Sequence, residues 1–108
     1  PVWRSANETP KHQKLITAAK FIAAVFYYQI MENIERQLDQ LSQIINAGNA
    51  TADTYYQRGR LNWKLQQHGA AISDYETAAQ LDPSSPAVQA LEMSRQIMDF
   101  YHKDRYNP

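Results

Sequence analysis

The 108-residue sequence contains no cysteine and only three glycines and five prolines. Without cysteine the chain cannot form a disulfide scaffold, a thiolate zinc site, an iron–sulfur cluster or a cysteine nucleophile. The shortage of glycine and proline, beside fourteen alanines and eleven glutamines, favours helices over strands or disorder. A chain of this size buries roughly two-thirds of its unfolded surface, which is enough for one core. The composition therefore predicts one small all-α domain.

The sequence also lacks an excess of charge of either sign, because eleven basic residues balance eleven acidic ones. A protein that neutralises many phosphates needs a strongly basic surface, so we expect no nucleic acid partner. The balance is nevertheless the sum of two unequal parts. Residues 1–30 carry a net charge of +3, and residues 31–108 carry −3. This asymmetry indicates two segments of different origin, and Met31 is a candidate natural start.

Helix starts and breakers divide the chain into segments. Thr9-Pro10 is typical of a helix start, and no glycine or proline follows before Gly48. Apolar residues recur at helical spacing, which predicts a helical region over residues 10–50, either one long helix or two with a turn near residues 32–33. A single helix of that length would reach about 55 Å and would have to protrude or pair with another chain. Residues 1–9 are expected to be disordered or irregular.

The apolar stretch at residues 21–28 raises the question of a membrane helix. A spanning helix needs about 20 predominantly apolar residues, and Lys20 and Gln29 bracket this shorter stretch. A signal peptide is disfavoured as well, because two tyrosines and a glutamine stand where small cleavage-site residues belong. We therefore predict a packed amphipathic helix, no membrane partner and a cytoplasmic protein.

Turn residues predict a helical hairpin in the second half of the chain. Gly48-Asn49 is typical of a helix C-cap, and Thr51 of the N-cap of a helix that ends near Gln67. A further helix is expected from Ala70 to Leu81, where a run of Asp, Pro and Ser stops it. A final helix is predicted over residues 86–101, followed by a polar tail over residues 102–108.

Six residues of the hairpin stand at a characteristic spacing: Tyr55, Gly59, Ala71, Tyr75, Ala78 and Pro83. The small residues let two helix backbones approach closely, and the aromatic residues fill the remaining space. With these positions residues 52–85 resemble one tetratricopeptide repeat, a helical hairpin with a period of 34 residues. Three positions depart from the family pattern: Arg58 replaces the usual Leu, Asn62 the usual Tyr, and Gln66 the Gly of the turn.

The flanking segments resemble the family less closely. Residues 18–51, one period upstream, place Phe21 at an aromatic position but Val25 at the crossing glycine, so they form at best a degenerate repeat. Residues 86–101 resemble the capping helix that follows a last repeat. The C-terminus from Phe100 resembles the tail of small bacterial single-repeat members of the family. That resemblance implies that residues 31–108 are the whole natural protein and residues 1–30 an extension.

The sequence shows no catalytic or metal-binding constellation. His12, His68 and His102 lie apart from one another, and none has an i, i+4 partner that would complete a metal site. There is no glycine-rich phosphate loop and no nucleophile elbow. We expect a protein that is not an enzyme and that uses no cofactor or metal.

The family resemblance implies a role in recognition. In tetratricopeptide repeat proteins the first helix of each hairpin lines the concave surface, which assigns Tyr56, Gln57, Arg60, Trp63 and Lys64 to a face that binds a peptide or protein. Arg60 and Lys64 stand one helical turn apart and can receive a carboxylate. The alternative is that Trp63 packs under a neighbouring helix and the two bases only face water.

One convincing repeat is few for this family, whose arrays usually need about three units to bury their faces. The upstream helix and the capping helix can cover part of the hairpin, and a second copy of the chain can supplement them through Ile22, Phe26 and Ile30. We therefore predict a homodimer. A self-assembling structural module is the alternative to an adaptor.

Overall fold

The structure is a computed structural model that describes residues 10–106, and side chains for residues 10–102. It contains four helices in this range: α1 Pro10–Asn46, α2 Ala52–Lys64, α3 His68–Leu81 and α4 Ala87–Tyr106. No strand occurs between residues 10 and 106, and the all-α fold class predicted from the sequence is confirmed. The segment predicted to be irregular, residues 1–9, and the last two residues of the predicted tail lie outside the described residues.

Helix α1 is one continuous helix, which decides between the two alternatives that the sequence left open. It ends at a Schellman motif, in which the Gly48 N–H donates to the Ile45 carbonyl at 3.0 Å and the Asn49 N–H donates to the Ile44 carbonyl at 3.2 Å. Gly48 has a φ of 80°, a left-handed conformation that glycine adopts without steric cost. The first breaker after Pro10 therefore ends the helix.

The chain divides into two compact units, residues 1–33 and residues 34–108. The described part of the first unit, residues 10–33, belongs wholly to α1. Every residue from Pro10 to Ile30 is exposed in the single chain, so the packing face predicted for this segment is not covered. By length and composition α1 meets the criterion for a helix that could cross a membrane, a criterion that core helices of soluble proteins and N-terminal signal sequences also meet.

The second unit is built on the hairpin of α2 and α3, with α4 packed against α3. Its core is made of small residues and one tyrosine, Ala71, Tyr75, Ala78 and Ala87, each at most 4% exposed. Partly buried residues from α2 and α4 surround this core, among them Tyr55, Tyr56, Trp63, Ala90 and Leu91. Fully buried alanines allow close helix contact, and the aromatic rings of Tyr55, Tyr56 and Trp63 pack around them.

Helix boundaries differ from the predicted ones at two places. The turn of the hairpin occupies residues 65–67, so α2 ends three residues earlier and α3 begins two residues earlier than predicted. Gly69 is part of the first turn of α3 and does not interrupt it. Helix α4 runs to Tyr106, into the segment predicted as a polar tail, because no breaker occurs before Pro108.

Candidate functional site

A capping box fixes the start of α2, the helix that carries the predicted binding residues. The Thr54 N–H donates to the Thr51 side-chain oxygen at 3.4 Å, and the Thr51 N–H donates to the Thr54 oxygen at 3.1 Å. Asp53 lies in the first turn, where a negative charge interacts favourably with the helix dipole. It also accepts a hydrogen bond from the Gln57 amide at 3.4 Å, which orients one of the predicted binding residues. Local sequence therefore sets the register of α2.

The two helices of the hairpin cross at Gly59. A Cβ atom at this position would lie 2.6 Å from Cε1 of Tyr75 and 3.2 Å from the Ala71 carbonyl oxygen. Only glycine allows the Tyr75 ring to lie against the α2 backbone, and that ring is 4% exposed. Burial raises the pKa of the Tyr75 hydroxyl above its ordinary value. The structure thus places Gly59, Ala71 and Tyr75 together at the closest point of the hairpin.

A buried polar cluster joins α2 to α3 beside this crossing. Asp74, 4% exposed, accepts hydrogen bonds from Nε of Arg58 at 3.0 Å, from Nη2 of Arg58 at 2.6 Å and from the Asn62 amide at 2.9 Å. The hydrogen bond to Asp74 raises the pKa of Arg58 further above its ordinary value. Charge-assisted and bidentate hydrogen bonds of this kind are the strong ones in proteins. Arg58 and Asn62 are two of the three departures from the family pattern, and their pairing with Asp74 was not predicted from the sequence.

The third departure, Gln66, occupies the turn of the hairpin. The Gln66 N–H donates to the Trp63 carbonyl and the Gln67 N–H donates to the Asn62 carbonyl, both at 2.9 Å, so α2 also ends in a Schellman motif. Gln66 takes a φ of 61°, in the left-handed region that favours glycine. The turn therefore keeps the geometry that the family builds with glycine, at the expense of backbone strain.

A groove between α2 and residues 34–46 of α1 contains three of the five predicted binding residues. We call it the cationic groove; its volume is about 330 Å³, and it is lined by Gln37, Gln40, Leu41, Ile44, Gln57, Arg60, Leu61 and Lys64. Arg60 and Lys64 are exposed, and none of the described lining residues is acidic. Leu41, Ile44 and Leu61 are the apolar lining residues, and the exposed Ile44 offers surface on which an aliphatic side chain can pack.

Tyr56, the fourth predicted residue, lies beneath the Arg60 side chain. The Arg60 guanidinium carbon is 5.7 Å from the centre of the Tyr56 ring, within the range of a cation–π interaction. The Tyr56 ring in turn lies 6.0 Å from the Tyr75 ring at 41°. Tyr56 therefore connects Arg60 to the core of the hairpin and restricts where the guanidinium can lie.

Trp63, the fifth predicted residue, lines a different groove, at the α4 side of the hairpin. We call this the aromatic groove; its volume is about 790 Å³, and it is lined by Trp63, Gln66, His68, Ile97, Met98, Tyr101 and His102. The Trp63 and His68 rings have centroids 4.2 Å apart. Trp63 is partly buried and also packs against the core of the hairpin. The structure thus distributes four of the five predicted residues over two grooves and places Tyr56 beneath Arg60.

The predicted dimer surface lies in the first unit. Ile22, Phe26 and Ile30 are 54%, 60% and 56% exposed. They follow one another at i, i+4 spacing and share one face of α1. All three are therefore available to a partner.

Comparisons with known proteins agree with the hairpin geometry. A family model described as tetratricopeptide repeat matches residues 52–85. The chain is also similar to a protein from Bacteroides fragilis solved by solution NMR, with 30% sequence identity and a TM-score of 0.53, over 71% of this chain and 88% of that one. A search of curated proteins gives no match. The helix crossing at Gly59, the match to the repeat model and the similarity to this relative lead to one conclusion. The chain belongs to the tetratricopeptide repeat family.

Proposed function

We propose that this chain is an adaptor that binds a protein segment carrying carboxylates and aliphatic side chains in the cationic groove. Tetratricopeptide repeats are typically non-catalytic and mediate protein–protein interactions. The observation that carries the more specific proposal is the lining of the groove. Two exposed cations one helical turn apart share the groove with apolar side chains, with no acidic residue among the described lining residues.

Each part of the groove has a role in this proposal. The Arg60 fork suits bidentate contact with a carboxylate, and Lys64 adds a second positive charge. Tyr56 holds the Arg60 guanidinium above its ring, which lowers the entropy lost when a ligand binds. Leu41 and Ile44 offer apolar surface to a neighbouring side chain of the ligand. Trp63 is assigned no contact with this ligand, because it opens onto the aromatic groove.

The test uses a fluorescent peptide in which glutamate alternates with leucine, and a matched peptide in which glutamine replaces each glutamate. We expect the glutamate peptide to bind the protein more tightly. Arg60→Ala with Lys64→Ala should weaken its binding at least about tenfold, since hydrogen bonds to charged groups contribute about 1.5–3 kcal/mol each. Equal binding of the two peptides would contradict the proposal.

Arg95→Ala is the matched control for that experiment. Arg95 is an exposed arginine on α4 that pairs with Glu76 at 2.8 Å and lines neither groove. Its removal lowers the net charge without changing the cationic groove, so the peptide affinity should stay within about twofold of that of the parent. The fold should also be unaffected, because an exposed ion pair contributes little to stability. Affinity capture from the native cell then compares the parent chain with the Arg60/Lys64 double variant. The natural partner is the protein that the parent captures and the double variant does not.

Homodimerisation through Ile22, Phe26 and Ile30 stays the second proposal. It is supported by the exposure of all three side chains on one helix face. Size-exclusion chromatography with light scattering tests it, with a dimer expected at tens of micromolar and a monomer contradicting it.

A further inference from the structure

An apolar surface surrounds α1 on every side at residues 21–28. Successive residues of a helix are rotated by about 100°, so eight residues in a row point in all directions around the axis. This stretch contains only Phe, Ile, Ala, Val and Tyr. Its large side chains are free of protein contacts that would bury them: Phe21 is 70% exposed, Phe26 60% and Tyr28 68%. A helix that is apolar all round is stable only inside a core or a membrane.

A second copy of the helix would cover one side of this surface and leave the other in water. The predicted dimer face consists of Ile22, Phe26 and Ile30. Phe21 and Tyr28 point roughly 140–160° away from the centre of that face, by the geometry of an α-helix. Both are more than two-thirds exposed. Lipid, which surrounds a helix from all directions, covers both sides at once.

The charge of residues 10–31 indicates that the lipid is anionic. Between Pro10 and Met31 the chain has three lysines and no acidic residue, whereas Glu32 and Glu35 follow directly. Lys11 and Lys14 precede the apolar residues and lie within one turn of each other. A cluster of basic residues beside an apolar helix is attracted to anionic headgroups, by about 1 kcal/mol for each lysine near the surface.

We propose that residues 15–31 insert into a lipid bilayer that contains anionic lipid, with Lys11 and Lys14 at the headgroups. Seventeen helical residues extend over about 25 Å, close to the thickness of the hydrocarbon layer. Lys20 lies inside this span, and its long side chain extends toward the N-terminal headgroups, the direction in which helical side chains already lean. Tyr27 and Tyr28 stand near the other end, where aromatic residues favour the interface.

Flotation of the full chain with lipid vesicles tests the proposal. The chain should float with vesicles of phosphatidylcholine and phosphatidylserine, and less with vesicles of phosphatidylcholine alone. Phe21→Gln and Phe26→Gln, on different sides of the helix, should each weaken partitioning roughly tenfold, as expected when one large apolar side chain is lost. Lys11→Gln with Lys14→Gln should weaken binding to the anionic vesicles by about thirtyfold, from two lysines.

Two controls make the outcome decisive. Arg60→Ala lies in the other unit and should float like the parent. The oligomeric state of the parent and of both phenylalanine variants is measured without lipid by light scattering. Failure to float with anionic vesicles would overturn the proposal. A second result would also overturn the proposal: the chain is a dimer without lipid, only Phe26→Gln dissociates that dimer, and Phe21→Gln partitions into vesicles like the parent. That result would assign the apolar surface to a second copy of the chain.

Discussion

Residues 10–33 and residues 34–106 are both helical and rich in apolar side chains, yet only the second region buries them. In the second region, turns at residues 65–67 and at Pro83 bring successive helices into contact, and five residues are at most 4% exposed. In the first, not one residue from Pro10 to Ile30 is buried. The contrast shows that an apolar pattern becomes a core only where the chain can turn back, because residues along one straight helix cannot cover one another.

The two regions also differ in how they use polar residues. The hairpin buries a carboxylate, Asp74, and gives it three hydrogen bonds from Arg58 and Asn62. The N-terminal region keeps its lysines exposed and has no acidic residue from Pro10 to Met31. Polar groups therefore help to specify the packing of the hairpin, whereas in the N-terminal region they distinguish one end of an apolar surface from the other.

The largest expected effect comes from removing the carboxylate at the centre of the hairpin. Asp74→Ala leaves Arg58 and Asn62 without their acceptor, and we expect the free energy of unfolding to fall by about 3 kcal/mol. Urea denaturation followed by circular dichroism measures it. Glu76→Ala removes the acid of the exposed pair with Arg95 and should change stability by less than about 0.5 kcal/mol. A small change for Asp74→Ala would mean that the hairpin packs without its polar cluster.

The glycine at the helix crossing gives the next largest effect. Gly59→Ala forces a methyl group against the buried Tyr75 ring, and we expect a loss of about 2 kcal/mol in the free energy of unfolding. A Cβ atom at Gly69 would meet no atom within 4 Å, so Gly69→Ala should raise stability by about 0.5–1 kcal/mol through helix propensity. Equal effects of the two substitutions would show that the close approach is not needed.

Relief of backbone strain at the turn should stabilise the hairpin. Gln66→Gly places glycine at a φ of 61°, and we expect a gain of about 1 kcal/mol, which thermal denaturation can detect. Gln67→Gly is the matched control, because Gln67 has a φ of −89° and carries no such strain. It should lower stability by about 0.5 kcal/mol, through the greater freedom of the unfolded chain. A loss from both substitutions would contradict the assignment of strain.

The smallest effect is expected in the N-terminal region. Phe21→Ala should change the free energy of unfolding in lipid-free buffer by less than about 0.5 kcal/mol, because the ring is exposed. Leu61→Ala, which removes a side chain only 8% exposed in the hairpin, should cost about 2–3 kcal/mol in the same assay. Comparable losses at the two positions would show that the N-terminal surface is buried in solution.

The sequence predicted much of the hairpin because its geometry depends on a few residues with strong local preferences. Thr51 and Gly48 set helix ends through caps, and Gly59 and Ala71 permit close approach wherever two helices cross. The buried cluster was harder to find, since Asp74 is 16 residues from Arg58 and 12 from Asn62. The sequence held one sign of it: Arg58 and Asn62, one turn apart on α2, stand where the family usually has Leu and Tyr. Pairing them with an acid required knowledge of how α2 crosses α3.

The all-α fold, the family and the apolar, basic character of residues 10–31 could be predicted from the amino-acid order alone. They follow from composition, spacing and charge, which depend on local interactions. The folded chain was needed to show that Arg60 and Lys64 share a groove with residues 34–46 of α1 while Trp63 lines the groove at α4, and that α1 continues without a turn. The reason is that a groove is formed by two helices at once, and its lining depends on their crossing, which no single helical pattern contains. Likewise, whether an apolar side chain is exposed depends on what the rest of the chain can reach.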